Sequence, residues 1–373
     1  VPAIWSAAVV IGLAAIAAVI VVTLISRTGN HESNRRSSPS LPLIAWLDGG
    51  GRLHIGDLSG TTQHVVGIVN GDPAAPLVAN SGNVFLVDTT GEFVPEIGTW
   101  SEVVRVYNLA HRTLTYFGPG QGVFASADGR SLFLPQMDSS HLIEIPVSGA
   151  GMGTLLALPT GWFLPGGYGQ SVGDDIVVLS TSSSVTAGPS SIGLWRPGSR
   201  TVRRLGVVET GPSPWVVGAF TAAGANHGVL AWIPFSCAGK PSCPIELTDT
   251  QARSTRSVRP PSGRAFVNGG AFSPDGRELA VFVTGAGRSG NTEAQLGILN
   301  VASGRTRIVP GVRFPLGIDL AWARWLNRTE LVSEGASANF LVDAASLSAK
   351  PVAFFHPGSD EEVDYSTVVV TPA

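Results

Sequence analysis

Charge is scarce in this sequence. Lys, Arg, Asp and Glu make up 14% of the 373 residues, and 24 basic against 27 acidic side chains leave a formal net charge of −3. So dilute and balanced a charge gives no electrostatic footprint for nucleic acid or for anionic lipid. Cysteine is limited to Cys237 and Cys243. No His or further Cys stands near them, so a zinc site lacks ligands. The seven histidines show no paired spacing for a metal either. No amphipathic helical pattern reaches three turns after residue 43, which excludes a helical domain there.

What is present is turn chemistry and short apolar runs. Glycine (46) and proline (26) are spread along the whole chain and read as frequent turns, not as one disordered tract. At the N-terminal end, Pro2 to Ser26 contains no charged side chain. Ile4 to Ile25 is nearly continuous Ile, Val, Leu and Ala, roughly 33 Å as a helix at ~1.5 Å per residue, and reads as a transmembrane or signal segment. No small-x-small cleavage site follows it and no cysteine lies nearby to take a lipid, which favours an uncleaved anchor.

Orientation carries a conflict. Arg27, Arg35 and Arg36 follow the apolar run and nothing basic precedes it, which taken alone places the large domain in the cytoplasm. The first residue is Val1, so a basic stretch ahead of it, or a start codon other than methionine's, would change that count. The cysteine pair points outward, as argued below. The division expected is an anchor over 1–26, a polar Ser/Pro stalk over 27–42 and a large domain over 43–373.

Within that domain, apolar runs of four to eight residues alternate with turn clusters, so it reads as all-β. The runs recur in groups. The clearest spans Val267 to Gly311: Ala271-Phe272-Ser273-Pro274-Asp275-Gly276-Arg277, then Leu279 to Val283, Leu296 to Val301, a Ser303-Gly304 turn, and Thr306 to Val309. That is four strands with Pro-Asp-Gly as the tight first turn.

A degraded form, Ala125-Ser126-Ala127-Asp128-Gly129-Arg130, opens the group Val123 to Pro159. Leu77 to Phe117, Phe163 to Val208, Trp215 to Arg259 and Ile318 to Phe355 fit the same template. Leu43 to Val69 has three strands and lacks the innermost, while Tyr365 to Val370 is a spare strand with no group of its own. The expected fold is a β-propeller of seven four-stranded blades, with six or eight as the alternatives, closed when the C-terminal strand completes the first blade.

The phrase Phe272-Ser273-Pro274-Asp275-Gly276-Arg277 followed by Leu279-Ala280 resembles the signature of the TolB-like, WD40-like (PD40-type) propeller repeats. The resemblance covers the domain and not the anchor, and the Gly-His and Trp-Asp pairs of true WD40 repeats are absent. It implies a propeller that binds proteins or peptides at one face or at its axis, usually outside the cytoplasm. It does not by itself imply catalysis.

Cys237 and Cys243 flank one hairpin loop in the template, near the Cα separation a disulfide needs. A disulfide implies an oxidising compartment; two free thiols are the alternative. Gly169-Gln170-Ser171-Val172-Gly173 matches the Gly-x-Ser-x-Gly nucleophile elbow, but a strand follows where the elbow needs a helix. Gly285-Ala286-Gly287-Arg288-Ser289-Gly290 matches Gly-x-Gly-x-x-Gly and again lacks the helix that cradles phosphate. Both read as turns. Asp360, Glu361, Glu362 and Asp364 read as a solvated acidic linker, with a calcium site as the alternative reading, and Asn327-Arg328-Thr329 fits the N-glycosylation pattern.

Long connections are expected between second and third strands: Thr89 to Glu102, Thr181 to Ser190, Cys237 to Cys243 and Thr284 to Ala294. In a propeller these share a face with the connections that lead into each blade, which carry Trp162, Trp215, Arg264, Asp319 and Tyr365. Trp, Tyr and Arg are the types enriched at binding hot spots, so these five are the expected binding residues; for the tryptophans, wedging between blades is the alternative.

The function expected is that of a membrane-tethered, extracytoplasmic binding or sensing propeller, without cofactor, metal or catalytic residues, for a protein, peptide or envelope ligand. The rivals are a lyase or hydrolase at the propeller mouth, for which the sequence offers Asp319 and Asp364, and the sensor part of a longer signalling protein.

Overall fold

The computed structural model describes strand backbone at 44–47, 52–56, 62–68, 85–94, 99–108, 113–120 and 369–370. It also describes residues 124–352, apart from 127, 129, 137, 147–152, 165–168, 181–188, 211–214, 222–224, 226, 235–236, 238–239, 285–292, 316–322 and 334–337. The chain divides into two units, Val1–Leu41 and Pro42–Ala373. The expected anchor and stalk lie outside the described residues; among those described, no helix is long and apolar enough to cross a membrane.

The described elements are strands, arranged in seven antiparallel sheets, six of four strands and one of three. The first sheet holds β1 (Ile44–Leu47), β2 (Arg52–Gly56) and β3 (Thr62–Ile68). Its fourth strand comes from the far end of the chain: β27 (Val369–Val370) pairs with β1, Ile44 opposite Val370 and Ala45 opposite Val369.

The three-stranded sheet holds β4 (Phe85–Val94), β5 (Thr99–Asn108) and β6 (Thr113–Gly120). It corrects one expectation. The stretch from Thr89 to Glu102, read as a long loop, is mostly ladder, with Thr89 opposite Val104 and Val94 opposite Thr99. Its threonines and glycine look like turn residues in isolation, yet β-branched Thr suits a strand when a partner strand is alongside.

Five further sheets follow in chain order, each a run of hairpins. They are β7 (Phe124–Ala125), β8 (Ser131–Pro135), β9 (His141–Pro146) and β10 (Thr154–Ala157); β11 (Ser171–Val172), β12 (Asp175–Ser180), β13 (Pro189–Trp195) and β14 (Val202–Thr210); β15 (Trp215–Thr221), β16 (Gly228–Ile233), β17 (Ile245–Asp249) and β18 (Ser254–Val258); β19 (Phe266–Phe272), β20 (Glu278–Thr284), β21 (Glu293–Asn300) and β22 (Thr306–Pro315); and β23 (Ala323–Trp325), β24 (Glu330–Ser333), β25 (Asn339–Asp343) and β26 (Ser348–Val352).

The core lies between sheets, and this explains the sequence pattern. Alternate residues of one strand face opposite neighbours. On β20, Leu279, Val281 and Val283 pack with Val217, Ile233 and Ile245 of the preceding sheet. Ala280 and Phe282 pack with Ala323, Leu331 and Val342 of the following one. On β12, Ile176 and Val178 meet Phe124, Phe133 and Leu142, while Leu179 meets Leu230 and Trp232. A strand buried on both faces must be apolar at every position, so the second strands read as unbroken runs. Fourth strands stand outside and are polar; β18 is exposed at four of its five residues.

The first turns repeat one hydrogen-bond design. The Ser273 hydroxyl donates to Asp275 Oδ1 at 2.8 Å and accepts the Glu278 amide at 3.0 Å, while the Arg277 amide donates to Asp275 Oδ1 at 3.2 Å. The degraded repeat reproduces it: Ser126 Oγ to Asp128 Oδ1 at 2.6 Å, with the Ser131 and Arg130 amides in the same roles. Burial pushes the Asp275 carboxyl up, but the Ser273 and Arg277 hydrogen bonds and the Arg277 charge outweigh it and hold it below the usual range. Gly276 closes this turn at φ 69°, where a Cβ would also collide with the Phe220 ring.

Candidate functional site

In each hairpin-linked sheet the first-to-second and third-to-fourth turns share one end, and the second-to-third loop lies at the other. Of the expected binding residues, Trp162, Trp215 and Arg264 stand in connections at the loop end. There Cys237 and Cys243 form a disulfide across the β16–β17 loop, with Cα atoms 5.3 Å apart. The loop is tied to the connection leading into β19, because the Ser242 amide donates to the Arg264 carbonyl at 3.2 Å.

Arg264 Nη1 in turn donates to the Thr284 carbonyl at 3.0 Å and to Gln295 Oε1 at 2.6 Å, spanning the roots of the β20–β21 loop. The Thr284 hydroxyl accepts the Ala265 amide at 2.8 Å. Arg264 thus touches two neighbouring loops, its carbonyl the disulfide loop and its half-buried guanidinium the roots of the next.

The other four expected residues fare differently. Trp162 is 8% exposed and packs among Phe133, Ile176 and Trp195 between two sheets, so the wedge alternative describes it and the exposed-anchor reading does not. A Cβ at Gly193 would meet its ring at 2.9 Å, which shows how closely the indole is clasped. Trp215 opens β15 opposite Ile233, and its side chain lies outside the described residues. Asp319 and Tyr365 lie outside them too, as do 285–290 and the acidic run of 360–364.

Ser171 of the elbow-like motif sits on β11 with strand β12 following, and its hydroxyl donates to the Ala125 carbonyl at 2.8 Å. It is a sheet-to-sheet tie with no helix behind it. The Asn327 carboxamide is engaged in its own turn, Oδ1 accepting the Thr329 and Glu330 amides at 2.8 and 2.9 Å. Among the described residues no three His, Cys, Asp or Glu side chains gather closely enough to hold a metal ion.

The turn end holds a cluster that the sequence reading missed. A cavity of about 630 Å³ opens between β13, β14 and the β17–β18 turn, lined in part by Asp175, Arg196, Arg203, Arg204 and Arg253. Asp175, whose side chain is 11% exposed, accepts Arg196 Nε on Oδ1 at 3.1 Å and pairs with Arg203 Nη2 through Oδ2 at 3.3 Å. Arg203 Nη1 donates to the Thr250 carbonyl of the next sheet. The Arg204 guanidinium carbon stands 5.8 Å from the centre of the Trp162 ring, a cation–π contact. A signal was present: Arg196, Arg200, Arg203 and Arg204 fall within nine residues of a chain poor in charge. Arg253 joins them only through the fold.

No protein-family model matches the sequence, and no curated protein matches it. Solved structures do match. An oligogalacturonate lyase in complex with manganese is 12% identical, covering 87% of this chain and 88% of that one, at a TM-score of 0.55. The β-propeller domain of the Trilobed protease from Pyrococcus furiosus, described as having an open velcro topology, is 11% identical over 86% of this chain and 93% of its own, at a TM-score of 0.54. TolB from Acinetobacter baumannii is 12% identical over 89% of this chain and 67% of its own; its TM-score of 0.48 gives it no weight in the fold argument. At such identities the likeness shows the fold alone, and that fold is the β-propeller.

Proposed function

We propose that this chain is a non-enzymatic binding propeller that recognises a protein, peptide or envelope ligand with the loop end of its sheets. The observation that carries the reading is the bracing of that end. A disulfide stiffens one loop, and Arg264 joins it to the next. Loops held in one conformation lose little entropy on binding, which is what a recognition surface requires. In this reading seven blades close into a ring, with β27 completing the first. The segment 1–26 tethers the domain on the extracytoplasmic side, where the Cys237–Cys243 bridge would persist.

The test is capture of partners from native membranes by the full chain. Arg264→Gln, Trp215→Ala and the double change Cys237→Ser with Cys243→Ser should each reduce capture while circular dichroism keeps its strand signal. Capture equal to the parent protein in all three would overturn the proposal.

A further inference from the structure

We infer that Arg324, on the first strand of the last sheet, is a second recognition point, where one carboxylate of a peptide is bound. In a propeller the first strands line the central channel, so this point is axial. It lies beside the first turn of its sheet, at the end opposite Arg264 and the disulfide loop. That the carboxylate belongs to a peptide rests on the function proposed above; that it is a carboxylate does not.

The two faces of β23 differ. Ala323 and Trp325 pack with Ala280 and Phe282 of the preceding sheet, and Trp325 Nε1 donates to the Ala271 carbonyl at 2.8 Å. Side chains alternate along a strand, so Arg324 takes the other face. Its row across the ladder is Val332 and then Leu341, both apolar. The matching residue of the preceding sheet is Ala271, opposite Ala280, and it packs against the core. A guanidinium thus stands where the neighbouring sheet has a methyl group.

Nothing among the described residues balances that charge. Arg324 Nη1 donates to the carbonyl of its own neighbour, Ala323, at 3.2 Å, and among the described residues no carboxylate pairs with it. Arg203 and Arg307, which join sheets, each hold an acid as well as a carbonyl. Burial pushes the Arg324 guanidinium down from its ordinary value, and no acid draws it back. The residue is nevertheless half-buried and not sealed, so a ligand can reach it. A desolvated cation of this kind is costly in the free protein and keeps most of its donors unused. One guanidinium balances one negative charge, which suits a carboxylate and leaves a phosphate dianion half-neutralised. Its planar fork takes both carboxylate oxygens together, and apolar surroundings strengthen the pair.

The experiment is calorimetric titration of the full chain, in a mild nonionic detergent at low salt, with four probes. They are acetyl-Ala-Ala with a free C-terminus, its C-terminal amide, acetyl-Ala-Glu-amide and inorganic phosphate. At least one of the two peptide acids should bind saturably, and the neutral amide should not. Tighter binding of acetyl-Ala-Ala assigns the site to a chain terminus, and tighter binding of acetyl-Ala-Glu-amide to an acidic side chain; both keep it. Arg324→Met should weaken the acid by roughly tenfold or more, and Arg324→Lys, which keeps the charge but not the fork, by less. Without ligand, Arg324→Met should unfold at a higher temperature than the parent, because it removes an unpaired buried charge. Arg264→Gln, at the loop end, should leave the acid's affinity unchanged, so failure of the loop-end reading would not be mistaken for failure here. Four results would each overturn the inference: amide or phosphate binding as tightly as the acids, parental affinity in Arg324→Met, equal loss in Arg264→Gln, or a lower unfolding temperature for Arg324→Met. The last would mean that the chain itself supplies the counter-ion.

Discussion

The seam between the β11–β14 and β15–β18 sheets can be laid over the seam between the β19–β22 and β23–β26 sheets. In each, an acid opens the second strand, Asp175 in one and Glu278 in the other. In each, the second residue of the fourth strand is an arginine that reaches that acid and a backbone carbonyl of the next sheet's outer turn. Arg203 joins Asp175 to Thr250. Arg307 joins Glu278, at 3.0 Å, to Ala344 and Ala345, at 2.8 and 3.1 Å.

At the second seam the account closes there, with one cation for one anion. Burial pushes the Glu278 carboxyl above its usual range, with Arg307 drawing it back. The residue facing the acid is Asn300 and the left-handed turn residue is Leu347, while the residue after the arginine, Ile308, packs toward the preceding sheet. At the first seam the places facing the acid and in the turn hold Arg196 and Arg253, while Arg204, the residue after the arginine, lies over Trp162 on the side of the β7–β10 sheet. Joining two sheets therefore takes one arginine; at the first seam Arg196 gives Asp175 a second partner, and Arg253 is the cation the joint does not use.

The strongest way to break the comparison is from beneath. Trp162→Ala removes the indole on which Arg204 rests and opens a void between two sheets. The expected loss is about 3–5 kcal/mol, read from urea unfolding. A variant as stable as the parent would mean that Trp162 is not core and that Arg204 has no platform.

Next in size is the removal of each acid. Asp175→Ala leaves Arg203 with only the Thr250 carbonyl and Arg196 with only Asp174, and sets both in one cavity with Arg253. A loss of ~2–3 kcal/mol is expected, tempered by the partial exposure of both arginines. Glu278→Ala leaves Arg307 with its two carbonyls and should cost about 1 kcal/mol. The Asp175→Ala loss should also shrink as salt rises, since it is in part repulsion among cations. Equal losses at the two seams, with equal salt dependence, would erase the distinction between them.

The sequence carried the fold further than the site. Second and third strands were legible because burial on both faces demands an apolar residue at every position. The Ser-x-Asp turn was legible even where degraded, because its side chains make the turn's own hydrogen bonds. A second repeated device went unread: Asp249, Asn300 and Asp343 each accept an amide two or three residues on, and Arg253, Gly304 and Leu347 follow in the left-handed region. Its signal is one polar residue per turn, too sparse to stand out. The hairpin over 85–108 was misread because Thr, Gly and Glu suit loop and edge strand alike. Trp162 could not be placed from its type, since an indole serves a wedge or an anchor equally well. The arginine cavity needed Arg253 to arrive from the next sheet, a contact that only folding creates.

The smallest expected effect separates the two turns most cleanly. Leu347 and Arg253 both hold left-handed backbone, at φ 60° and 53°, a conformation that costs a side-chain-bearing residue ~1 kcal/mol. Leu347 offsets that cost by packing against the core between the last two sheets. Leu347→Gly would relieve the backbone but lose the contact, so a net loss near ~1 kcal/mol is expected. Arg253 is exposed and rests on no apolar core. Arg253→Gly should therefore raise stability, by only ~0.5 kcal/mol because glycine also loses more freedom on folding. Opposite signs in paired denaturant midpoints would mean that one turn residue is kept for the fold and the other in spite of it. If Arg253→Gly instead lost as much as Leu347→Gly, the arginine would be holding its own turn, and the two turns would not differ.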